Sequence, residues 1–222
     1  MDKKEIKDIW EKFKTDIVYN NRYFSGFKIM EILKNMKHID LKEKENIKYY
    51  YRARIGSFSK MEDGAMYAPP SKLTISGRCN PVGIPYLYLS NSKETAVNET
   101  KPSIGETLTL ASFEVDVSNI FSFVEDDNFI IDESLNEDIK YLMTLISEDL
   151  RKVITKDDKL SYIPLQFVSE YIKNLGYDGF VYSSTVGNGE NLVMFNWKEK
   201  CKIINKEEVV ITEIKIGSEI RN

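Results

Sequence analysis

The sequence has one histidine and two cysteines, and this scarcity counts against several common kinds of active site. Ser–His–Asp and Cys–His hydrolases need an imidazole beside the nucleophile, whereas His38 lies in a polar connector. A zinc site takes His or Cys ligands at close spacing, which His38, Cys79 and Cys201 do not provide. The GxxxxGKS/T and GxGxxG patterns of nucleotide-binding loops are absent too. We therefore expect chemistry carried by Arg, Tyr, Glu, Ser and Asn, without a bound metal.

Long apolar runs are also missing. No segment approaches the roughly 20 apolar residues that cross a bilayer, and the charged start MDKKEIKDIW lacks the apolar stretch of a secretory signal. Two cysteines give no disulfide framework, which fits a reducing compartment, so we expect a cytoplasmic protein with no membrane contact. The net charge of −4 counts against direct nucleic-acid binding but is compatible with a small anionic ligand held by local cations.

Arginine is scarce beside lysine, and three of the few arginines lie close together in the sequence: Arg52, Arg54 and Arg78. A guanidinium is a planar, permanently charged fork that suits phosphate and carboxylate groups, and lysine does not reproduce this geometry. The cluster therefore indicates an anion-binding site. The alternative is chance clustering of residues that form surface salt bridges.

Apolar spacing and turn residues predict a mixture of helices and strands. Helices are expected at 2–19, 27–35, 92–98, 138–154 and 165–175, and strands at 48–55, 86–89, 108–117, 179–183, 192–196, 202–204 and 209–216. Residues 61–85 hold four of the six prolines and three of the eleven glycines, which predicts a long irregular loop of a kind that is often functional. We interpret residues 1–46 as an N-terminal helical extension and 47–222 as one catalytic domain, with an α+β fold.

Three segments concentrate the polar and aromatic residues that remain as candidates: YYYRAR at 49–54, GRCNPVGIPYLYLSNSKETAVNET at 77–100 and GYDGFVYSSTVGNGENLVMFN at 176–196. In this order they resemble the RES domain family, over about residues 48–200. The resemblance implies a mixed β-sheet core like that of ADP-ribosyltransferase toxins and an activity that degrades NAD, with NAD as substrate and no cofactor. It also implies the toxin of a bacterial toxin–antitoxin pair, with a cognate antitoxin as partner.

The resemblance also assigns residues. Arg52, Glu99 and Ser184 match catalytic positions, and Ser183 is an alternative to Ser184. The expected substrate-binding residues are Arg54, Arg78, Tyr88, Ser183 and Asn191. The arginines would hold the pyrophosphate of NAD, Tyr88 would pack on nicotinamide or its ribose, and Ser184 and Asn191 would fix ribose or phosphate oxygens. Nicotinamide leaves as a neutral base, so one carboxylate, Glu99, would suffice to stabilise the sugar cation.

Each assignment has a simpler alternative. A glutamate at a helix end is usually a solvated surface group, Arg52 and Arg54 could be charges that protect an edge strand, and Cys79 is better read as a packed thiol than as a nucleophile. Cleavage of the nicotinamide–ribose bond with water or phosphate as acceptor is the main hypothesis. The alternatives are an ADP-ribosyltransferase, disfavoured by Val97 where such enzymes carry Glu or Gln, and a non-catalytic NAD-binding module. The N-terminal helices are a candidate docking surface for the antitoxin, and self-association is left open.

Overall fold

The computed structural model describes residues 1–23, 27–34, 47–124, 137–152 and 158–214. The helices are α1 Lys3–Tyr19, α2 Ile29–Leu33, α3 Lys93–Glu99, α4 Glu137–Arg151, α5 Ile163–Asn174 and α6 Trp197–Lys200. The strands are β1 Ile47–Ile55, β2 Leu87–Ser90, β3 Thr107–Asp116, β4 Ile120–Ser122, β5 Gly179–Ser183, β6 Glu190–Met194 and β7 Cys201–Val210. The fold is α+β, as predicted.

The strands form one mixed sheet in the order β4-β5-β6-β2-β1-β3-β7, in which β4 and β5 are parallel and the other neighbours are antiparallel. Side chains alternate between its two faces. Phe180 packs with α1, α4 and α5 in one hydrophobic core, whereas Val181 packs with β1, β2 and β3 residues in the other. The strands β4, β5 and β6 therefore contribute to both cores, whereas β1, β3 and β7 contribute to the second.

The neighbouring strands β1 and β2 share fewer paired residues than the other neighbouring strands of the sheet. β1 pairs with β3 along its whole length, from Ile47↔Asp116 to Ile55↔Leu108, but meets β2 only at Tyr51↔Ser90. Because β2 ends at Ser90, the two strands diverge from that pair toward Leu87 of β2 and Ile55 of β1, and the sheet opens in its middle. This opening places residues of β1 and β2 beside the candidate site.

The N-terminal helix α1 is part of the main core rather than a loose appendage. Asp2 caps it by accepting a hydrogen bond from the backbone N–H of Glu5 at 2.7 Å. Its apolar stripe, which is Ile6, Trp10, Phe13 and Ile17, is buried in the core that α4 and α5 share. The expected boundary at residue 46 and the connector with His38 lie outside the described residues. Within the described ranges no helix is long and apolar enough to cross a membrane.

Two predictions about strands were wrong. The short strand β4 was missed because three residues are too few to show alternation, and its partner β5 lies far along the chain. Separate strands at 202–204 and 209–216 were expected, but β7 is one continuous strand that ends at Val210. The polar run NKEE lies within β7. Pairing with β3 carries the strand through it, with a bulge between Ser112 and Phe113.

A buried carboxylate, Asp149, joins α1 to the end of α4. It accepts hydrogen bonds from Trp10 Nε1 at 2.8 Å and Lys14 Nζ at 2.9 Å, and a further one from Lys152. Burial alone would raise the pKa of Asp149, but these donors outweigh it and lower the pKa below its ordinary value. The stabilisation of the folded protein by ionised Asp149 is therefore complete above the ordinary carboxyl pKa of about 4. It is lost as pH falls through the lower pKa that Asp149 has in the folded state.

Substituting Trp10→Phe should destabilise the protein by about 1–2 kcal/mol, because the ring is largely retained while a donor to a buried carboxylate is removed. Thermal unfolding at neutral pH measures this change. The matched control is Trp197→Phe, since Trp197 is partly exposed and stacks on Tyr67. Equal effects of the two substitutions would show that the Trp10–Asp149 bond adds nothing.

Candidate functional site

A cavity of about 260 Å³ lies where β1 and β2 diverge. Its wall includes Arg52 from β1, Tyr88 from β2, Glu99 from α3, Tyr182 from β5 and Asn191 from β6. Four of these five residues were predicted from the sequence as site residues, although they are spread over almost 140 positions. The fold therefore brings a polar, aromatic-lined set of side chains to one place.

Glu99 is the last residue of α3, and its carboxylate is held in one orientation. Oε1 accepts hydrogen bonds from Ser184 Oγ at 2.8 Å and from Asn191 Nδ2. Asn191 is itself fixed by Ser90 Oγ, which donates to Asn191 Oδ1 at 2.7 Å. In the described part of the chain no bond is made to Glu99 Oε2, which leaves that oxygen for a ligand.

Arg52 places a positive charge in the cavity, and not all of the N–H groups of its guanidinium find a hydrogen-bond acceptor. Its Nη1 is buried and has no hydrogen-bond partner within the described structure. Burial of the guanidinium, together with the nearby charge of Arg54, lowers the pKa of Arg52 to about 10, so it is still a cation at neutral pH. An unpartnered buried donor is costly, and a bound anion would remove that cost.

Tyr88 is fixed by its hydroxyl group. The phenol donates to Asn80 Oδ1 at 2.9 Å and accepts from the backbone N–H of Cys79 at 3.1 Å. Burial raises the pKa of Tyr88 well above its ordinary value, so the phenol is a positioning group rather than an acid. Burial also raises the pKa of the Cys79 thiol to about 12, which fits a packed thiol.

Two predicted arginines do not line this cavity. Arg78 Nη1 donates to the backbone oxygens of Leu150 at 2.6 Å and Lys152 at 2.9 Å, because carbonyls at the end of α4 lack partners within the helix. Arg54 donates to the backbone oxygen of Ala65 and packs over the ring of Phe58 at 4.7 Å. The expected cluster of guanidinium groups is therefore reduced to Arg52 in this cavity.

The two candidate serines point to different places. Ser184 is buried and bonds Glu99, whereas Ser183 lines a second cavity beside α4. The geometry therefore favours Ser184 as the serine that acts with Glu99.

Sequence reasoning missed Ser90, Tyr182 and the role of Gly189. Ser90 and Tyr182 lie inside the motif segments, but nothing in their spacing separates them from core residues. Gly189 lies in the loop between β5 and β6, which packs on α3. A Cβ at Gly189 would overlap Thr95 Oγ1 and lie 2.7 Å from Asn91 Oδ1. The glycine thus allows this loop to approach α3 and bring Ser184 to Glu99.

Substituting Gly189→Ala should push the loop away from α3 and loosen the Ser184–Glu99 hydrogen bond. We expect at least about a tenfold loss of the activity proposed below, since misplacing a catalytic group by about 1 Å can cost roughly a hundredfold. Gly64→Ala is the control, because a Cβ there meets no atom within 4 Å. Full activity of the Gly189→Ala variant would contradict this role for the loop.

The fold and cavity define an α+β protein with a carboxylate and a guanidinium in a cleft at the centre of its sheet. A family model described as the RES domain matches residues 50–210, and the chain belongs to that family. This confirms the resemblance seen in the sequence. The matched region begins after α1 and α2.

Among solved structures, one similar chain comes from the M. tuberculosis MbcT–MbcA toxin–antitoxin complex. The TM-score is 0.50 at 13% identity, and the match covers 81% of this chain and 92% of that chain. At this identity the likeness concerns the fold. No protein with a curated description matches the sequence significantly.

Proposed function

We propose that this protein cleaves the nicotinamide–ribose bond of NAD, with water or inorganic phosphate as acceptor. The observation that carries the proposal is the pairing of the oriented Glu99 carboxylate with the unpartnered Arg52 guanidinium in one cavity. A carboxylate suits a developing sugar cation, and a guanidinium suits a phosphate group. In NAD the ribose that becomes the cation and a phosphate group are close together.

In the proposed reaction the bond between C1′ of the ribose and the nicotinamide nitrogen breaks. Its electron pair returns to the pyridinium ring, so nicotinamide leaves as a neutral molecule and needs no general acid. Glu99 Oε2 would accept a hydrogen bond from a ribose hydroxyl and stabilise the oxocarbenium ion, while Ser184 and Asn191 keep the carboxylate in place. An oxygen of water or phosphate then bonds to C1′, and an attacking water loses one proton to solvent.

The proposal extends to the biological setting. Membership of the RES family and the fold shared with a chain of a toxin–antitoxin complex support a toxin with a cognate antitoxin. The apolar stripe of α1 is buried against α4 and α5, so an antitoxin docked on α1 would have to use the charged outer face of the helix. Co-expression with a neighbouring gene, scored as rescue of growth, tests this part.

The enzymatic part is tested by incubating purified protein with NAD and quantifying nicotinamide. Release that needs no phosphate supports hydrolysis, and release that depends on phosphate, with ADP-ribose 1″-phosphate as product, supports phosphorolysis. Label from NAD that appears on protein or nucleic acid would instead support a transferase. Val97, an apolar residue two positions before Glu99, counts against that alternative. Binding of NAD without any release would leave only a binding module.

A further inference from the structure

The cavity at Arg52 and Glu99 is too small for a whole dinucleotide. Its volume is about 260 Å³, whereas sites for drug-sized ligands span roughly 300–1,000 Å³ and NAD is larger than most such ligands. It can hold the nicotinamide and its ribose. If NAD is the substrate, the other half of the molecule must lie outside this cavity.

A second cavity of about 370 Å³ lies along α4, and the end of β5 stands between the two. Tyr182 lines the first cavity, Ser183 lines the second, and Ser184 bonds the carboxylate of Glu99. The last two residues of β5 therefore border one cavity each, and Ser184 follows them in the chain. Arg78 lies close to the second cavity, since its Nη1 donates to the backbone oxygens of Leu150 and Lys152, on either side of Arg151.

The second cavity has the chemistry of a nucleotide subsite. Phe123 and Met143 supply an apolar surface for a base, and Glu148 supplies a carboxylate of the kind that binds ribose hydroxyls in dinucleotide sites. Arg151, in the last turn of α4, supplies an exposed guanidinium for phosphate. Glu148 and Arg151 are three positions apart, so they share one face of the helix.

We propose, resting on the proposed function, that the second cavity binds the adenosine half of NAD. Arg151 contacts its phosphate, Glu148 its ribose, and Phe123 and Met143 its base. The dinucleotide then passes the end of β5, with the scissile bond at Glu99. The simpler alternative is that Arg151 only balances the negative end of the α4 dipole.

Two measurements separate these possibilities. Arg151→Glu should raise KM for NAD about tenfold or more and leave kcat within about twofold, because it removes a charge-assisted bond that is made equally in the ground and transition states. AMP should compete with NAD in the native protein and lose this inhibition in the variant. Nicotinamide mononucleotide lacks the adenosine half, so its cleavage should be unchanged by Arg151→Glu.

Lys12→Glu, on the exposed face of α1, is the control with the same change of charge. Glu148→Gln is a second subsite variant that preserves size, and it should also raise KM for NAD. Circular dichroism and thermal unfolding verify that each variant is folded.

The proposal is overturned if AMP does not compete with NAD or if Arg151→Glu behaves like Lys12→Glu. It is also overturned if Arg151→Glu impairs the cleavage of NAD and of nicotinamide mononucleotide equally. Absence of nicotinamide release from either substrate by the native protein would overturn the proposed function itself, which is a distinguishable result. If Arg151→Glu is unfolded, an unchanged KM in folded Glu148→Gln overturns the subsite.

Discussion

Substituting Glu99→Gln should lower the rate of nicotinamide release from NAD by about 10²–10³-fold. Gln keeps the size of the side chain and an oxygen that can accept the hydrogen bonds of Ser184 and Asn191, so the cavity keeps its shape. The negative charge is lost. Removing one electrostatic group that stabilises a transition state costs about 3–4 kcal/mol in typical cases. The effect should fall on kcat, since the sugar cation forms only in the transition state.

Glu94→Gln is the matched control for this experiment. Glu94 lies on the same helix, is exposed, and is five residues from Glu99, so its carboxylate does not reach the cavity wall. It should retain nearly native activity. A rate for Glu99→Gln within about threefold of the native rate would remove the carboxylate from the mechanism.

Substituting Arg52→Met should abolish NAD binding and at the same time stabilise the free protein. The guanidinium is buried with an unpartnered Nη1, so its charge is unfavourable until a phosphate arrives. A methionine of similar length removes that cost, and we expect a gain of about 1 kcal/mol, or roughly 2–4 °C in Tm. Thermal unfolding measures the gain, and calorimetric titration with NAD measures the loss of binding.

The pH dependence of the stability gained by Arg52→Met follows from the direction in which folding shifts the pKa of Arg52. Folding lowers the pKa of Arg52 below its ordinary value, to about 10, so the cost of the buried charge is complete below about pH 10. It declines as pH rises from there toward the unfolded-state value. The gain in Arg52→Met should therefore be constant through neutral pH.

Arg54→Met is the comparison, and it should change the stability of the protein in the opposite direction. Arg54 is bonded to Ala65 and packed on Phe58, so its loss should destabilise the protein. A lower Tm for Arg52→Met would mean that its guanidinium stabilises the free protein, and the argument for an anion site would fail.

The sequence was a good guide to the elements with strong periodic patterns. The apolar stripe of α1 and the long alternation of β3 predict those elements to within one or two residues. It was a poor guide to β4 and β7, where the strand is specified by its neighbours rather than by its own residues. The packing of α1 on α4 depends on a contact with Asp149 across more than a hundred residues, which no local pattern contains.

The sequence was likewise a good guide to some residues of the candidate site and a poor guide to others. The motif segments contain Glu99, Ser184 and Asn191, and the fold places these three in contact. The destination of Arg78 could not be read from its motif, because the carbonyls that it binds belong to a helix end some 70 residues away. A long side chain can reach many acceptors, so its identity indicates a charge but not where that charge lies.

The most direct test of the central claim is a crystal structure of the Glu99→Gln variant with NAD. We expect the nicotinamide ribose in the cavity between β1 and β2, its hydroxyls beside residue 99, and a phosphate oxygen within hydrogen-bond distance of Arg52 Nη1. NAD bound elsewhere, or bound with Arg52 Nη1 still unpartnered, would contradict the account.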